Sequence, residues 1–571
     1  MDLSEPVKSN RWLQQDLGVY NAWDAYATAL AEPAVRELLR QSGNEAYFEH
    51  WFNRFVPVVM AIQRRGFGHL NRHARLTYTR KLRREMREVE GEFHALVTRF
   101  DRLRDEVDAE RNARDKAARE GHAQRVAEAE AWAAESPRRT PTARIAKADE
   151  WLEKQRERIE KWRASQLKKL RERRGKFFNM SKDLKETVFD EWGLKPAPST
   201  KDRAERALSQ DALLYILDHM RVRDEPYRIA LHALAHRARL RTIWQRYLDF
   251  WVDTDDRVYP TIQCASARTM RLAYSEPALQ QWPDEIRHLI EPRPGYCYVS
   301  GDYSQIEARI AVIESGDPID MDLFDRFDAA AHEHSEAVEG CELCAQRMLY
   351  DVHAASARDR MGIDYAAWLH LPPKLRKLQR NDAKRFRYKL QYGGSDREEI
   401  KNTFCPCVRC IDKVPQLLKQ DQKSRLAAGQ RWLERHSAVT KWHDELCRTV
   451  ARNGMRYTSR FGYTRKFHEP WPQVRTKIVN FPCQHGAAEV INRAMETLHY
   501  EHDAPIVMQQ HDNLILEVPL DDAQHWARIL KSVMEAPVPE YATERQPNGY
   551  VFPIELKITG HGGRANHWGA A

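Results

Sequence analysis

The stretch YVSGDYSQIE, residues 298–307, joins a strand-forming sequence directly to a helix-forming one. Its first two residues favour a strand, and Ser304 with Glu307 has the spacing of a capping box at the start of a helix. Apolar residues then recur at helical intervals from Ile306 onward. Asp302 is therefore predicted to lie at the end of a strand, where its carboxylate can bind a hard cation.

A second aspartate stands at the turn of a predicted hairpin. The apolar runs at 506–508 and 514–518 flank the polar sequence His511-Asp512-Asn513. Asp and Asn are typical turn residues, and short apolar runs on either side indicate strands. Asp302 and Asp512 together predict a divalent-cation site, if the fold brings them close.

A basic helix is predicted between the two aspartates. Arg380, Lys384 and Tyr388 are spaced four residues apart and therefore share one side of a helix. The pair Gly393-Gly394 is expected to end that helix. Cationic and aromatic side chains beside metal-binding aspartates are typical of a site that binds a nucleoside triphosphate on Mg²⁺.

Three segments match, in order, the signature motifs A, B and C of one enzyme family. They are DYSQIE at 302–307, RNDAKRFRYKLQYGG at 380–394 and QHDNLILEV at 510–518. On these motifs the chain resembles the family A DNA polymerases, the group of bacterial DNA polymerase I and many phage replicases. The resemblance covers most of the chain. It implies an α+β right-hand polymerase fold, with a palm built on an antiparallel sheet and with helical fingers and thumb.

The resemblance also implies a reaction, in which dNTPs are added to a primer 3′-hydroxyl on a template by two-metal nucleotidyl transfer. Asp302 and Asp512 would bind two Mg²⁺ ions, and Lys384 would act in catalysis. The residues expected to bind the dNTP are Tyr303, Glu307, His353, Arg380, Lys384, Tyr388 and Tyr392. The residues expected to contact DNA are Arg271, Gln484, His511 and Asn513.

Three of these residues, and Ala308 beside Glu307, carry specific expectations. Glu307 resembles the family's steric gate, which excludes a ribose 2′-hydroxyl, and a tyrosine at position 388 goes with acceptance of dideoxynucleotides. Relatives usually have Glu where this chain has Asn513, so we expect reduced or retuned activity rather than none. Ala308, where Leu is common, leaves room beside the gate.

The same resemblance divides the chain into segments. The expected segments are a helical exonuclease-like remnant at 1–45, a thumb at 46–260 with a charged helical-hairpin insertion at about 101–175, palm at 261–317, fingers with Cys-rich insertions at 318–440, and palm again at 441–571. Tyr20 and Asp24 resemble only the last exonuclease motif, and two-metal hydrolysis needs further carboxylates. We therefore expect no intrinsic proofreading, with a separate nuclease as the alternative.

The charged insertion has helix-forming composition and is interrupted by a proline-containing turn at 136–141. This pattern predicts two antiparallel helices. A solvated helical face is the simplest interpretation. The functional alternatives are a clamp over DNA and a docking arm for a processivity factor.

The composition of the chain limits its possible ligands and cellular location. The chain has 571 residues and a net charge of +9, which permits nucleic-acid binding without demonstrating it. It contains no apolar run of the ~20 residues that a membrane span needs, and no signal-peptide pattern. We expect a monomer in the cytoplasm of a bacterium or of a phage-infected host.

Five of the nine cysteines fall in two segments, C-x-x-C at 341–344 and C-x-C-x-x-C at 405–410. In a cytosolic chain this pattern indicates a structural zinc site rather than disulfides. The expected Zn²⁺ ligands are Cys341, Cys344, Cys407 and Cys410. Cys405 or His334 could replace one of them, and the alternative is a set of unrelated thiols.

Other functions compete with DNA synthesis. A single-subunit RNA polymerase has a related motif B, but Glu307 argues against the use of ribonucleotides. A catalytically weak DNA-binding scaffold, or a subunit that needs a partner chain, is the alternative from another class. Both replication and repair fit the sequence.

Overall fold

The computed structural model of the protein describes residues 26, 28–96, 99–136, 138–175, 177–178, 182–196, 208–219, 225–250, 252, 254–264, 266–331, 341–394, 422–560 and 565–570. The segment that resembles an exonuclease motif, the 405–410 cysteines and His334 lie outside these residues. The contacts divide the described residues into two units, a larger one up to Leu76 and from Tyr247 onward, and a smaller one from Thr77 to Arg246.

Helices make up most of both units. The larger unit contains helices at 28–42, Glu45–His50, Trp51–Phe55, Val56–Arg65, Leu279–Gln281, Asp284–Arg287, Ile306–Ser315, Pro318–Ala329, Glu342–Tyr350, Val352–Met361, Tyr365–Leu369, Pro373–Gln391, Gln422–Arg435, Ser437–Arg452, Trp471–Tyr500, Leu520–Asp522, Ala523–Met534, Pro539–Tyr541 and Trp568–Ala570. The remaining helices are Arg72–Leu96, Arg99–Ala134, Thr142–Gly175, Lys182–Glu186, Thr187–Glu191, Gln210–His219, Glu225–Thr242 and Ile243–Leu248. Within the described part of the chain, none is long and apolar enough to cross a lipid bilayer.

A four-stranded antiparallel sheet, the central sheet, lies in the larger unit. Its strands, in spatial order, are Ile554–Ile558, Tyr296–Tyr303, Asn513–Pro519 and Ile506–Gln510. Smaller antiparallel groups are formed by Phe67–Leu70 with Arg257–Val258 and Ile290–Glu291, by Thr261–Gln263 with Ala273–Ser275, and by Arg456–Thr458 with Thr464–Lys466. Helices with a small antiparallel sheet confirm the predicted α+β class, and the motif A strand and the motif C hairpin share this sheet with the strand Ile554–Ile558.

The central sheet is covered closely by a helix. Gly301, in the Tyr296–Tyr303 strand, faces the Ala523–Met534 helix, and a Cβ atom at this position would lie 2.8 Å from Sδ of Met534 and 2.9 Å from Cδ1 of Ile554. At distances this short the Met534 or Ile554 side chain would have to move, so the glycine permits the close approach without that movement.

The predicted helical hairpin is present in the smaller unit, as Arg99–Ala134 and Thr142–Gly175. Ion pairs connect the two helices, including Arg163 to Asp108 at 2.7 Å and Arg111 to Glu160 at 2.7 Å. The guanidinium of Arg114 also lies 4.0 Å from the ring centre of Trp162. Polar and cation–π contacts therefore hold together a hairpin that has few apolar residues.

The apolar core of the smaller unit lies near the base of this hairpin. Phe93, Phe100, Phe177 and Phe178 are buried together, and the rings of Phe100 and Phe177 meet edge to face at 5.3 Å. Helices Gln210–His219 and Glu225–Thr242 contribute further apolar residues.

One local prediction is wrong. Ser304 and Glu307 do not form a capping box, because the helix begins at Ile306 and its N-cap residue is Gln305, in the left-handed conformation with φ of 57°. The backbone N–H of Ser304 instead donates to the carbonyl of Pro553 at 2.9 Å, which extends the sheet pairing by one residue. The carboxylate of Glu307 is bound by side chains distant in sequence.

Replacing Gly301 by Ala is expected to lower the free energy of unfolding by ~1–3 kcal/mol, because the added methyl group must displace Met534 or Ile554. Thermal and urea unfolding of the Gly301→Ala protein measure the loss. The matched control is Gly91→Ala, where an added Cβ has no heavy atom within 4 Å and the residue lies inside a helix. Equal stability of the two variants would contradict the steric explanation.

Candidate active site

The strand register brings the two predicted metal-binding aspartates together. In the central sheet Asn513 pairs with Asp302 across neighbouring strands. The backbone N–H of Tyr303 donates to the carbonyl oxygen of Asp512 at 3.0 Å, which ties the hairpin turn to the end of the motif A strand. His511, the other turn residue, has φ of 56°. Asp302 and Asp512 are thus neighbours although about two hundred residues separate them in sequence.

The surroundings of the two carboxyl groups favour protonation in the absence of a cation. Loss of hydration raises the pKa of Asp302 to about 6, and the nearby Glu555 carboxylate adds to the effect. Burial raises the pKa of Asp512 to about 7, with contributions from Glu307 and Asp302. Lys384 partly offsets both pKa shifts. Adjacent carboxylates with unfavourable ionisation fit a divalent cation, which would compensate their charge.

The Glu307 carboxylate forms the second part of the site. It accepts hydrogen bonds from the guanidinium of Arg271 and from the hydroxyl of Tyr392, one on each oxygen. Tyr392 follows the Pro373–Gln391 helix directly, so Glu307 connects this helix to the start of the Ile306–Ser315 helix. The structure thereby joins three of the predicted site residues.

The Pro373–Gln391 helix, which we call the basic helix, carries the predicted nucleotide-binding face. The rings of Tyr388 and Tyr392 stack with centres 5.7 Å apart and an interplanar angle of 15°. The Lys384 ammonium lies 5.8 Å from the Tyr388 ring centre, and the His353 ring lies 5.5 Å from it on another helix. The structure agrees with the predicted shared helix face. It also agrees with the predicted end of the helix before Gly393, which has φ of 72°.

Arg380 is engaged by an acid that the sequence analysis did not identify as a site residue. Its Nε and Nη2 atoms donate to the two carboxylate oxygens of Asp351 at 3.0 and 2.8 Å. Although burial alone would raise the pKa of Asp351, the charge of Arg380 and hydrogen bonds lower it to about 2. Asp351 also caps the Val352–Met361 helix by accepting from the Ala354 N–H. The sequence did contain a signal for Asp351, because it stands two residues before His353, which was predicted to bind phosphate.

His353 is fully buried beside this ion pair. Neither of its ring nitrogens has a hydrogen-bond partner among the described residues. Burial lowers the pKa of His353 well below its ordinary value, so the imidazole is neutral at pH 7. A buried imidazole without a partner is suited to donate a hydrogen bond to a ligand.

The residues predicted to contact DNA lie at different places. Arg271 binds Glu307, and its charge also helps to lower the pKa of His511, after burial as the main cause. The side-chain oxygen of Asn513 is buried without a partner among the described residues. Gln484 is half-buried on the Trp471–Tyr500 helix.

Only half of the predicted zinc site lies within the described residues. Cys341 is the N-cap residue of the Glu342–Tyr350 helix, and Cys344 is buried on its first turn. The backbone N–H of Cys344 is the main cause that lowers the pKa of the Cys341 thiol. A thiol with a lowered pKa is suited to metal binding. Cys407 and Cys410 lie outside the described residues.

A buried charged cluster went unnoticed in the sequence. Asp317, Asp320 and His436 are all buried, and their potential ligand atoms lie within 4.8 Å of one another. The guanidinium of Arg387, from the basic helix, binds the Asp320 carboxylate. Asp317 and Asp320 begin one helix, but His436 lies more than a hundred residues away, so no local pattern connects it to them.

The Asp512→Asn variant is expected to be more stable than the wild type in EDTA near pH 8. The folded-state pKa of Asp512 is about 7, above the unfolded value of roughly 3.9, so wild-type stability falls as pH rises through this window and stays low above it. Asn does not ionise. We expect an increase in Tm of roughly 1–2 °C or more near pH 8 and a smaller difference near pH 5.

The control for this measurement is Asp521→Asn, because Asp521 is an exposed aspartate near the same sheet. Its Tm should follow that of the wild type at both pH values. A Tm of the Asp512→Asn protein equal to or below that of the wild type near pH 8 would contradict the electrostatic description of the site.

Comparisons with known proteins agree with this geometry. The profile of DNA polymerase family A matches residues 149–544. DNA polymerase I of Thermus aquaticus is 26% identical over 383 residues, which are 63% of this chain and 39% of that protein. DNA polymerase I of Caldicellulosiruptor bescii is 24% identical over 380 residues, again 63% of this chain and 39% of that protein. The chain thus spans about two fifths of the length of these curated relatives.

A solved structure shares the fold. The POL domain of Pol1 from M. smegmatis, in complex with DNA primer-template and dNTP, superimposes with a TM-score of 0.55 at 17% identity, covering 94% of this chain and 74% of that one. The profile match extends over more than half of the chain and includes all three motifs. The chain therefore belongs to DNA polymerase family A.

Proposed function

We propose that this protein is a DNA-directed DNA polymerase, which adds dNTPs to a primer 3′-hydroxyl on a DNA template. The observation that carries the proposal is the register that puts Asp302 and Asp512 side by side, together with Arg380, Lys384 and Tyr388 on one helix. Family membership supports it, as does the name DNA polymerase I of its relatives.

Asp302 and Asp512 would hold two Mg²⁺ ions, with the backbone carbonyl of Tyr303 as a further oxygen ligand. Two such ions stabilise the attacking and leaving oxygens of an in-line phosphoryl transfer. Without a cation, the pKa of Asp302 is raised to about 6 and that of Asp512 to about 7. Binding of Mg²⁺ would therefore displace protons from the site. Metal affinity should therefore weaken as the pH falls below about 7.

Arg380 and Lys384 would bind the triphosphate, and His353 would donate a hydrogen bond to it. Asp351 occupies Nε–H and one N–H of Nη2 of Arg380, so phosphate oxygens would bind the remaining Nη donors or replace the Asp351 carboxylate. Tyr388 would stack on the incoming nucleotide, and Tyr392 would lie near the templating base.

Glu307 would select the sugar. Its carboxylate is held by Arg271 and Tyr392, so it presents a fixed surface against a ribose 2′-hydroxyl. Arg271, Gln484, His511 and Asn513 would contact the primer-template. We assign the central sheet to the palm, the helices between Pro318 and Arg452 to the fingers, and the smaller unit to the thumb.

Primer extension with Mg²⁺ tests the proposed function. The wild type should extend a primer with dNTPs, and Asp512→Asn should abolish extension. Glu307→Ala should raise the use of rNTPs relative to dNTPs by roughly 10–100-fold, because it removes the side chain that excludes the 2′-hydroxyl. The control is Glu314→Ala, on the same helix but paired with Arg460.

Each alternative function predicts a different result. Binding of primer-template without extension by the wild type would identify a scaffold or an incomplete subunit. Comparable use of rNTPs and dNTPs by the wild type would show that sugar selection is relaxed. If Glu307→Ala used rNTPs relative to dNTPs no more than the wild type does, Glu307 would not be the residue that excludes the 2′-hydroxyl.

We also propose a structural Zn²⁺ bound by Cys341, Cys344, Cys407 and Cys410. The support is the C-x-x-C spacing and the helix N-terminus at Cys341, where the pKa of the thiol is lowered. Elemental analysis of the purified protein should find about one zinc per chain, lost in Cys341→Ser/Cys344→Ser. Cys264→Ser is the control, and zinc retained by the double variant would refute the site.

A further inference from the structure

We propose that Glu555 is a third acidic residue of the candidate cation site and accepts hydrogen bonds from water molecules bound to Mg²⁺. The inference rests on the proposed function, since the cation is the one that nucleotidyl transfer would use. It assigns a role to a carboxylate of the Ile554–Ile558 strand that is absent from the predicted site residues.

Asp302 has one cross-strand neighbour on each side in the central sheet. Glu555 pairs with it from the Ile554–Ile558 strand, and Asn513 pairs with it from the strand on the opposite side. Directly opposed residues of antiparallel strands project from the same face of the sheet, with Cβ atoms about 4.5–5.5 Å apart. The three side chains therefore form a row, in which Asn513 is neutral and Glu555 adds a second carboxylate beside Asp302.

The charge of Glu555 reaches two residues of the candidate site. Burial is the main cause that raises the pKa of Asp302, and the Glu555 carboxylate is the next. Burial alone would lower the pKa of Arg380, but Asp351 and, more weakly, Glu555 raise it. Glu555 thus lies within electrostatic reach of the aspartate that would bind Mg²⁺ and of the arginine that would bind the triphosphate.

The Glu555 carboxylate is open to water. Its side chain is 49% exposed, and its described ion-pair partner is Arg347, whose Nη2 atom lies 3.5 Å from Oε1. An exposed ion pair at this distance contributes little to stability, because solvent screens it. The Arg347 guanidinium also packs 4.6 Å from the ring centre of Phe327, so its position has a second support. Glu555 can therefore exchange this contact for a water molecule bound to a cation.

The coordination chemistry of Mg²⁺ explains why an outer carboxylate is useful here. Mg²⁺ usually keeps several water molecules and is bound directly by one or two carboxylates, the places that Asp302 and Asp512 would take. Each bound water donates hydrogen bonds, and an ionised carboxylate only accepts them. Groups in this outer position commonly change metal affinity by about tenfold or more. Glu555 is placed to act in this way on the Asp302 side of the site.

A simpler role for Glu555 is a surface ion pair with Arg347. The two roles predict different consequences of removing Arg347. If the ion pair is what matters, Arg347→Met and Glu555→Gln should have the same effect. If Glu555 serves the cation, Arg347→Met should leave cation binding unchanged or strengthen it, because the carboxylate loses a competing partner.

The test measures the dissociation constant for Mn²⁺ by electron paramagnetic resonance of the full chain, near pH 8 and without DNA or dNTP. Mn²⁺ takes the same oxygen ligands as Mg²⁺. Binding that is present in the wild type and absent in Asp512→Asn defines the site. The variants are Glu555→Gln, Arg347→Met and, as a control of opposite charge, Lys557→Met, which lies on the same face of the strand and pairs with Ser300. Thermal unfolding checks that each variant folds.

We expect Glu555→Gln to weaken Mn²⁺ binding about tenfold and to raise by a similar factor the Mg²⁺ concentration needed for half-maximal primer extension. At saturating Mg²⁺ its kcat should change less. Arg347→Met should bind Mn²⁺ at least as tightly as the wild type. Lys557→Met should bind it about threefold more tightly, because a repelling charge near Asp302 is removed.

Unchanged Mn²⁺ binding in Glu555→Gln, or an equal loss in Arg347→Met, would each overturn the inference. A wild type without the Asp512-dependent Mn²⁺ site would overturn it as well. Failure of the proposed function gives a different result, since a wild type that binds Mn²⁺ at this site but does not extend primers refutes the polymerase and leaves the role of Glu555 in cation binding intact.

Discussion

The antiparallel pairing of the Tyr296–Tyr303 and Asn513–Pro519 strands is the constraint on which the site depends. The side chains of a strand alternate between its two faces, so a shift of one residue would move every side chain to the opposite face. The observed register pairs Asn513 with Asp302, and the Tyr303 to Asp512 hydrogen bond holds the turn at the end of that pairing. Buried residues on both strands, and Gly301 against the covering helix, specify this register. The geometry of the candidate site is therefore a consequence of core packing.

Around the aspartates, charged groups are satisfied by partners within the chain. Arg380 is bound by Asp351, and Glu307 is bound by Arg271 and Tyr392. Burial is the main cause that raises the pKa of Asp302 and of Asp512, and the charge of Lys384 offsets part of each shift. The carboxyl groups of Asp302 and Asp512 are thus the acidic groups of the candidate site whose charge a divalent cation would compensate.

Local sequence patterns predicted the elements of the site but not the bonds between them. Helical spacing gave the face with Arg380, Lys384 and Tyr388, and the turn residues gave the hairpin at Asp512. The predicted capping box is wrong for two reasons. The motif A strand continues its pairing to Ser304, and the Glu307 carboxylate accepts a hydrogen bond from Arg271, which is distant in sequence. Asp351 was missed for the same reason. A carboxylate within hydrogen-bond reach of an arginine is a property of tertiary structure, and spacing along one segment does not report it.

The basic helix shows why composition alone cannot assign roles to its arginines. Arg380 and Arg387 are seven residues apart and project from the same side, so periodicity treats them as equivalent. Their surroundings differ, since the Arg380 side chain is 37% exposed and that of Arg387 is 1% exposed. An arginine that can reach solvent can exchange a carboxylate for a phosphate. One enclosed by Asp320, Ser356 and Trp432 cannot do so without breaking a buried ion pair, which costs about 3–5 kcal/mol. The same residue type is thus accessible to solvent at one position of the helix and enclosed in a buried ion pair two turns later.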